Sequence, residues 1–307
     1  MHIARTFAEL APVTDNVYLA IGVFDGVHLG HQRVIGHARD AARAGGGSSV
    51  VLTFDPHPLR VLQPDKAPLL LTATDHKLRL IAALGVDACL LLQFDAEFSR
   101  TPPAHFIEQV ARATHHLREI CVGTRFHFGH NRAGNVRLME ALAPQYGFTA
   151  KEITSVMAGE EMISSTAIRQ HVLNGNLDRV AAMLGRPFSI LGTVEKGDQI
   201  GRQLGFPTAN LNPHNEVLPP DGVYVAQARL GTETLPGVVN IGLRPTLQTG
   251  QTDRRLEIYL LDFDRDIYDQ ELEVIFLKKL RDEQKFASLN DLRNQIAADV
   301  QAARATT

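Results

Sequence analysis

Near Gly185-Arg186-Pro187 the hydrophobic pattern of the chain changes, and that change limits the possible folds more than any other feature. From Val17 to Gly185, solid apolar runs (VYLAIGVF, SSVVLTF, VDACLLLQF, REICVG) alternate with amphipathic stretches (HQRVIGHARDAARA, DHKLRLIAALG, PAHFIEQVARATHH, NVRLMEALAPQYG). Strands without internal polar alternation, separated by helices, predict a parallel sheet covered on both faces. After Pro187 the runs are short and follow one another without helices: SILGTVEKG, GVYVAQARL, PGVVNIG, LEIYLLDF and LEVIFL. That order predicts a small antiparallel barrel. It is closed by a helix in which Leu289, Leu292, Ile296 and Val300 share a face. The expected organisation is therefore a Rossmann-like α/β domain over residues 1–186 and a β-barrel domain over residues 187–307, with two domains also expected from a length of 307 residues.

Charge and cysteine content narrow the function classes. A net charge of -3 with no block of like charges disfavours a duplex-coating protein, and no nucleic-acid partner is expected. No run approaches the roughly 18 apolar residues of a membrane span, and the first residues lack a signal-peptide pattern. The expectation is a soluble cytoplasmic protein without a membrane partner. Cys89 and Cys121 each sit in an apolar run, which predicts two buried free thiols. Of 13 histidines, only His214 follows residue 187, so imidazole chemistry belongs to the first domain.

Polar motifs follow the strands of that domain, where open α/β sheets bind ligands. Phe24-Asp25-Gly26-Val27-His28-Leu29-Gly30-His31 places two histidines and a close-approach glycine at a helix start, an arrangement suited to a phosphate. Such donors could stabilise charge on a departing pyrophosphate, with the nucleophile supplied by a substrate. His57 is held at the same edge by Pro56 and Pro58. The stretch from Val122 to Gly134 mixes Arg125, Phe126, Phe128 and Arg132, aromatics for a planar ring and cations for phosphate. Ser164, Ser165, Thr166 and Arg169 open a helix, where they serve either as a cap or as a clamp for ATP phosphates.

In the barrel segment, glycines 192, 197 and 201 allow backbone amides to approach phosphates or simply mark tight turns. No Walker A pattern occurs. In Pro207-Thr208-Ala209-Asn210, a hydroxyl and a carboxamide share one side of an extended chain and offer neutral oxygens to Mg2+; alone, the same four residues read as a turn. In the strand from Arg255 to Phe263, Glu257 and Tyr259 share one face, and Leu256, Ile258 and Leu260 the other.

FDGVHLGH, TFDPHP, VG-x-x-F-x-FG-x-x-R-x-G and ISST-x-IR, followed by GRQLGFPTAN and GVVNIGLRPT, together resemble the prokaryotic bifunctional riboflavin kinase/FMN adenylyltransferase family, the FAD synthetases. The resemblance covers nearly the whole chain. It implies two Mg2+-ATP-dependent reactions with riboflavin, FMN, FAD and ATP as partners. His28 and His31 would act on the adenylyl donor, with Phe24, Asp25, Gly26, Gly30, Ser164, Ser165, Thr166 and Arg169 around its phosphates. His57, Arg125, Phe126, Phe128 and Arg132 would lie on the FMN side. In the kinase half the resemblance implies Glu257 as base and Thr208 and Asn210 as metal ligands. It also implies ATP or flavin contacts at Gly192, Lys196, Gly197, Gly201, Arg202, Phe206 and Arg281. Three positions depart from the family pattern: Arg125 replaces a small acidic or amide residue, Tyr259 a common histidine and Asp269 a common glycine. Two rivals remain open at this level: a flavokinase with an impaired first domain, motivated by Arg125, and a non-catalytic flavin-binding regulator.

Overall fold

The computed structural model describes all residues except 11, 12, 14, 115, 198–200, 202, 203, 246–251 and 307, and omits the side chains of 244, 245, 252 and 253. Arg202 therefore lies outside the described residues, as do His115, Gln203 and Thr246 of the motifs above. The chain forms two compact units, residues 1–68 with 74–165, and residues 69–73 with 166–307. Residues 166–186, read from sequence as the end of the first domain, make their contacts within the barrel unit.

The first unit contains β1 (His2–Ala4), β2 (Val17–Ile21), β3 (Ser48–Asp55), β4 (Ala88–Gln93), β5 (Leu117–Gly123) and β6 (Thr149–Ile153), in the sheet order β1-β4-β3-β2-β5-β6. All pairings in this sheet are parallel. Strands at His2–Ala4 and Thr149–Ile153 were not anticipated, since the first is too short and the second too polar to form an apolar run. Alternate residues feed two cores: Leu19, Ile21, Val50, Leu52 and Leu90 on one side, Ala20, Val51, Cys89 and Cys121 on the other. Both thiols are free, and burial pushes Cys89 up to about 12 and Cys121 upward as well. From β2 the chain proceeds outward to β3 and β4, then returns to place β5 on the other side of β2. The switch point, where a ligand crevice opens in such sheets, thus lies beyond the ends of β2 and β5. FDGVHLGH follows the first of these strands and the Arg125–Arg132 segment the second.

Helix α1 (Leu29–Gly45) starts at that crevice and ends at Gly46, whose φ of 62° supplies the left-handed cap. The remaining helices of this unit are α2 (Pro58–Leu62), α3 (Thr74–Ala82), α4 (Pro103–Ala113) and α5 (Val136–Tyr146), with a small hairpin of β7 (Met157–Ala158) and β8 (Glu161–Met162).

The second unit opens with α6 (from Ser165, the last residue of the first unit, to Leu173) and α7 (Leu177–Leu184). It continues with β9 (Ser189–Glu195), β10 (Thr208–Pro213), β11 (Gly222–Leu230), β12 (Glu233–Pro245), β13 (Thr252–Leu260) and β14 (Glu271–Arg281), and ends with α8 (Leu289–Arg304). The six strands close into an antiparallel barrel of order β10-β13-β12-β11-β14-β9. Leu256, Ile258 and Leu260 are buried in it, while Glu257 and Tyr259 are half-buried on the outer face, as their alternation predicted. Val300 and Ala303 of α8 pack over Val223, Val225 and Val238. Leu289, expected on the same apolar face, is 68% exposed because the first turns of α8 extend past the barrel contact.

Candidate active sites

In the first unit, the loop from β2 to α1 is shaped by backbone that side chains seldom adopt: φ is 54° at Phe24, 83° at Gly26 and 40° at Val27. Such conformations persist where surrounding structure enforces them. Several bonds do so. Thr53 Oγ1 donates to the Val23 carbonyl at 3.0 Å, and Ser165 Oγ donates to the Asp25 carbonyl at 2.9 Å. Lys77 Nζ, almost fully buried, donates to the Phe54 carbonyl at 3.0 Å and reaches that of Val23 at 3.5 Å. Lys77 escaped the sequence reading because a lysine on an amphipathic helix normally marks its solvent face.

The two histidines form one stacked pair, with ring centroids 3.5 Å apart. The backbone N–H of His31 donates to His28 Nδ1 at 3.2 Å, so His28 caps α1 and its neutral ring carries the proton on Nε2. That amide, expected to face an anion, is therefore already occupied. A Cβ at Gly30 would sit 3.0 Å from the His28 ring, which explains the glycine. His31 Nδ1 is buried and has no hydrogen-bond partner among the described residues. Burial, assisted by His28 and Lys77, holds the His31 imidazole well below its usual value. The ring is consequently neutral near pH 7 and acts through an N–H or a lone pair rather than a charge.

His57 caps α2, its Nδ1 accepting from the Leu59 N–H at 3.2 Å. In the segment after β5, the paired aromatics have different roles. Phe128 is 7% exposed and packs on Phe106 as core, whereas Phe126 is half-buried and stacks on Phe128 at 5.7 Å. Of the two aromatics read as serving a planar ring, Phe126 is thus the more exposed. Phe54, Phe94 and Phe98 extend the aromatic cluster, a set dispersed in sequence and missed for that reason. Arg125 is exposed, with Nη2 2.8 Å from the Met162 sulfur. Arg132 has a φ of 58° and is exposed. Thr166 and Arg169 belong to the second unit, where Arg169 Nε donates to the Leu69 carbonyl at 2.6 Å.

In the second unit, strand register assembles the site. Asn210 pairs with Glu257 across β10 and β13, and Thr208 with Tyr259. Directly paired residues point to the same face. The Thr208 hydroxyl and Asn210 carboxamide carry no side-chain hydrogen bond among the described residues, so both oxygens are available beside the Glu257 carboxylate. A Cβ at Gly197 would overlap the Asn210 carboxamide, and one at Gly201 would lie 3.1 Å from Thr208 Oγ1. At these two positions, therefore, the missing Cβ lets the backbone of Gly197 and Gly201 lie close to the two side chains. Gly192 differs: its close neighbours are Leu211 and the Asn212 carbonyl of β10, which makes it a barrel-packing residue rather than a phosphate contact. Lys196 Nζ lies 5.7 Å from the Tyr268 ring centre, and Phe206 meets Tyr259 edge to face at 5.5 Å.

A cleft of about 420 Å³ opens beside Thr208, lined further by Pro207, Phe263, Asp266 and Tyr268. Its size suits a nucleoside. Arg281, read from the resemblance as an ATP or flavin contact, pairs with buried Asp299 of α8, with Nη2 to Oδ2 at 2.8 Å. Among the described residues no cluster of three His, Cys, Asp or Glu could hold a metal alone. A hydroxyl, a carboxamide and a neighbouring carboxylate do fit a hard cation that takes its remaining ligands from phosphates and water.

Known proteins match both halves. A family described as FAD synthetase matches residues 11–167, and one described as riboflavin kinase matches residues 184–307. The bifunctional riboflavin kinase/FMN adenylyltransferase of Escherichia coli (strain K12) is 40% identical over 287 residues, covering 93% of this chain and 91% of that protein. The protein of the same description from Haemophilus influenzae is 37% identical over 306 residues and 99% of both chains. Among solved structures, one titled as a macrolide-efflux protein from Streptococcus pneumoniae superposes with a TM-score of 0.84 at 29% identity, covering 99% of each chain. No helix among the described residues is long and apolar enough to cross a membrane.

Proposed function

Because the chain belongs to the bifunctional riboflavin kinase/FMN adenylyltransferase family, converting riboflavin to FMN and FMN to FAD with ATP, we propose that each reaction runs on the groups described above. Glu257 accepts the proton of the ribityl 5'-OH as that oxygen attacks the γ-phosphorus of ATP and ADP leaves. Thr208 and Asn210 would hold Mg2+, which would neutralise phosphate charge. The nucleoside of ATP occupies the cleft beside Thr208, with the backbone of Gly197 and of Gly201 beside its phosphates. The observation that supports this reading most strongly is the pairing of Asn210 with Glu257, which sets base and phosphate ligands side by side.

In the other reaction an FMN phosphate oxygen attacks the α-phosphorus of a second ATP and pyrophosphate leaves. His28 and His31 donate to the departing pyrophosphate, Phe126 offers a face to the flavin ring, and Arg125 and Arg132 meet its phosphate. The kinase chemistry is assigned to residues 187–307 and the transfer chemistry to residues 1–186. Dependence of both reactions on ATP supports a cytoplasmic site of action.

The test is a chromatogram of flavins after incubation with riboflavin, ATP and Mg2+. The wild type yields FMN and FAD. Glu257→Gln, which keeps the shape and removes the acceptor, lowers FMN formation about 10^2-fold while still making FAD from added FMN. Equal loss of both products would overturn the assignment of Glu257 to the kinase reaction alone.

A further inference from the structure

The row that contains Asn210 and Glu257 does not stop there. Asn210 is partnered on its other side by Glu195 of β9, and Glu257 on its other side by Asn240 of β12. Asn240 is then partnered by Val223 of β11, and Val223 by Arg281 of β14. On this outer face Val223 lies beneath α8, and Arg281 is bound to Asp299 of the same helix. A polar row therefore crosses four strands and ends at the edge of α8, with Asn240 as its last member.

Asn240 has the features of a ligand-binding residue. It is half-buried, and its carboxamide makes no side-chain hydrogen bond among the described residues. A carboxamide kept open beside a carboxylate contributes nothing to the barrel core, where Val239 and Ile241, its chain neighbours, are both fully buried. Neighbouring side chains in such a row lie about 5 Å apart, so Asn210 and Asn240 flank the carboxylate at similar distances.

Direction follows from the chemistry. In attack of an alcohol on phosphorus the oxygen lies between the phosphoryl donor and the alcohol's own carbon chain, and the base holds that oxygen by its O–H. The nucleotide cleft and the Thr208 and Asn210 oxygens are on the β10 side of Glu257. The alcohol's chain therefore extends to the β12 side, toward Asn240 and then α8. Along that path Tyr259, Leu280 and Ile296 are partly buried apolar side chains packed at the cluster beneath α8, of the kind that meets a planar ring.

We infer that Asn240 is a specificity-determining residue of the kinase site, its carboxamide hydrogen-bonding the ribityl hydroxyls of riboflavin next to the 5'-OH held by Glu257. The inference rests on the assignment of Glu257 as base and of Thr208 and Asn210 to the phosphate side. It explains why a polyol chain is distinguished from a plain alkyl alcohol: an unmet carboxamide beside a carboxylate disfavours a chain without hydroxyls.

Flavin fluorescence titration of the full chain with riboflavin and with lumiflavin, the same ring without a ribityl chain, tests it. Asn240→Ala is expected to raise the riboflavin Kd about tenfold, the equivalent of one hydrogen bond, and to leave the lumiflavin Kd and the KM for ATP unchanged. Asn240→Ser, smaller but still able to donate and accept, should recover part of the riboflavin affinity. An unchanged riboflavin Kd in both variants overturns the inference. So does equal weakening of riboflavin and lumiflavin, which would mark Asn240 as structural; loss of all flavin binding in the alanine variant passes the decision to the serine variant. Glu257→Gln assayed in parallel isolates the underlying reading: full turnover there would defeat the base assignment, whatever Asn240 does.

Discussion

His28 shows how one side chain can serve the fold and the chemistry together. Its Nδ1 closes the first turn of α1, and that bond places the proton of the neutral ring on Nε2. His31, stacked on it, is held neutral by burial and by the neighbouring His28 and Lys77. On the proposed assignment the pair would stabilise a departing pyrophosphate through hydrogen bonds, and losing one such donor costs about 3–4 kcal/mol, or about 10^2 to 10^3 in rate. Replacing both histidines with alanine is expected to reduce FAD formation from FMN at least that far and to leave FMN formation intact. It should slow the reverse reaction, FAD plus pyrophosphate to FMN plus ATP, by the same factor, because both directions cross one transition state. Product chromatography in each direction reads this out. An unchanged FAD rate would reduce the motif to a helix cap.

The elements explain which parts of this molecule were legible in its sequence. The outer-face position of Glu257 followed from strand alternation alone, and the histidine pair from its place after an apolar strand. The Asn210–Glu257–Asn240 row did not, because register across three strands brings together residues far apart in the chain, with no periodicity to mark them. Phe128 and Lys77 misled for a related reason: local pattern cannot tell a ring in the core from a ring at a ligand, nor a buried lysine from a solvated one. Asp269 is the converse case, where a departure from the family pattern gains a physical meaning from the structure. Its φ is 60°, in the turn before β14, and its N–H donates to the Val194 carbonyl at 2.9 Å. Glycine occupies that region without the Cβ penalty that aspartate bears. Asp269→Gly is expected to stabilise the barrel by about 0.5–1 kcal/mol, as an upward shift in urea midpoint with an unchanged slope. A lower midpoint would mean that the carboxylate supports the turn in a way its backbone does not reveal.

At the level of the whole molecule, the change in sequence pattern at Pro187 and the compact unit that begins at residue 166 divide the chain at different places. The difference matters for any attempt to isolate the kinase. Within α7, Val180 and Met183 are fully buried and Leu184 nearly so, and the helix packs on barrel strand β14. Burying a side chain of this size contributes about 1.5–3 kcal/mol, while a whole domain is stable by only about 5–15 kcal/mol. A fragment of residues 187–307 keeps every proposed kinase residue yet uncovers the surface that α7 protects. A fragment of residues 166–307 keeps that cover, although it still lacks Leu70, whose backbone N–H donates to Glu216 of the same unit in the intact chain. Both fragments should therefore carry the chemistry, but with unequal stability. The longer one is expected to unfold cooperatively at a distinctly higher urea concentration and to make FMN at close to the rate of the full chain. The shorter one should make FMN only at low temperature, or when saturating riboflavin and ATP favour the folded state. Equal urea midpoints would show that α6 and α7 do not support the barrel. A longer fragment that folds, binds riboflavin and ATP and makes no FMN would show that the kinase reaction needs groups from residues 1–165.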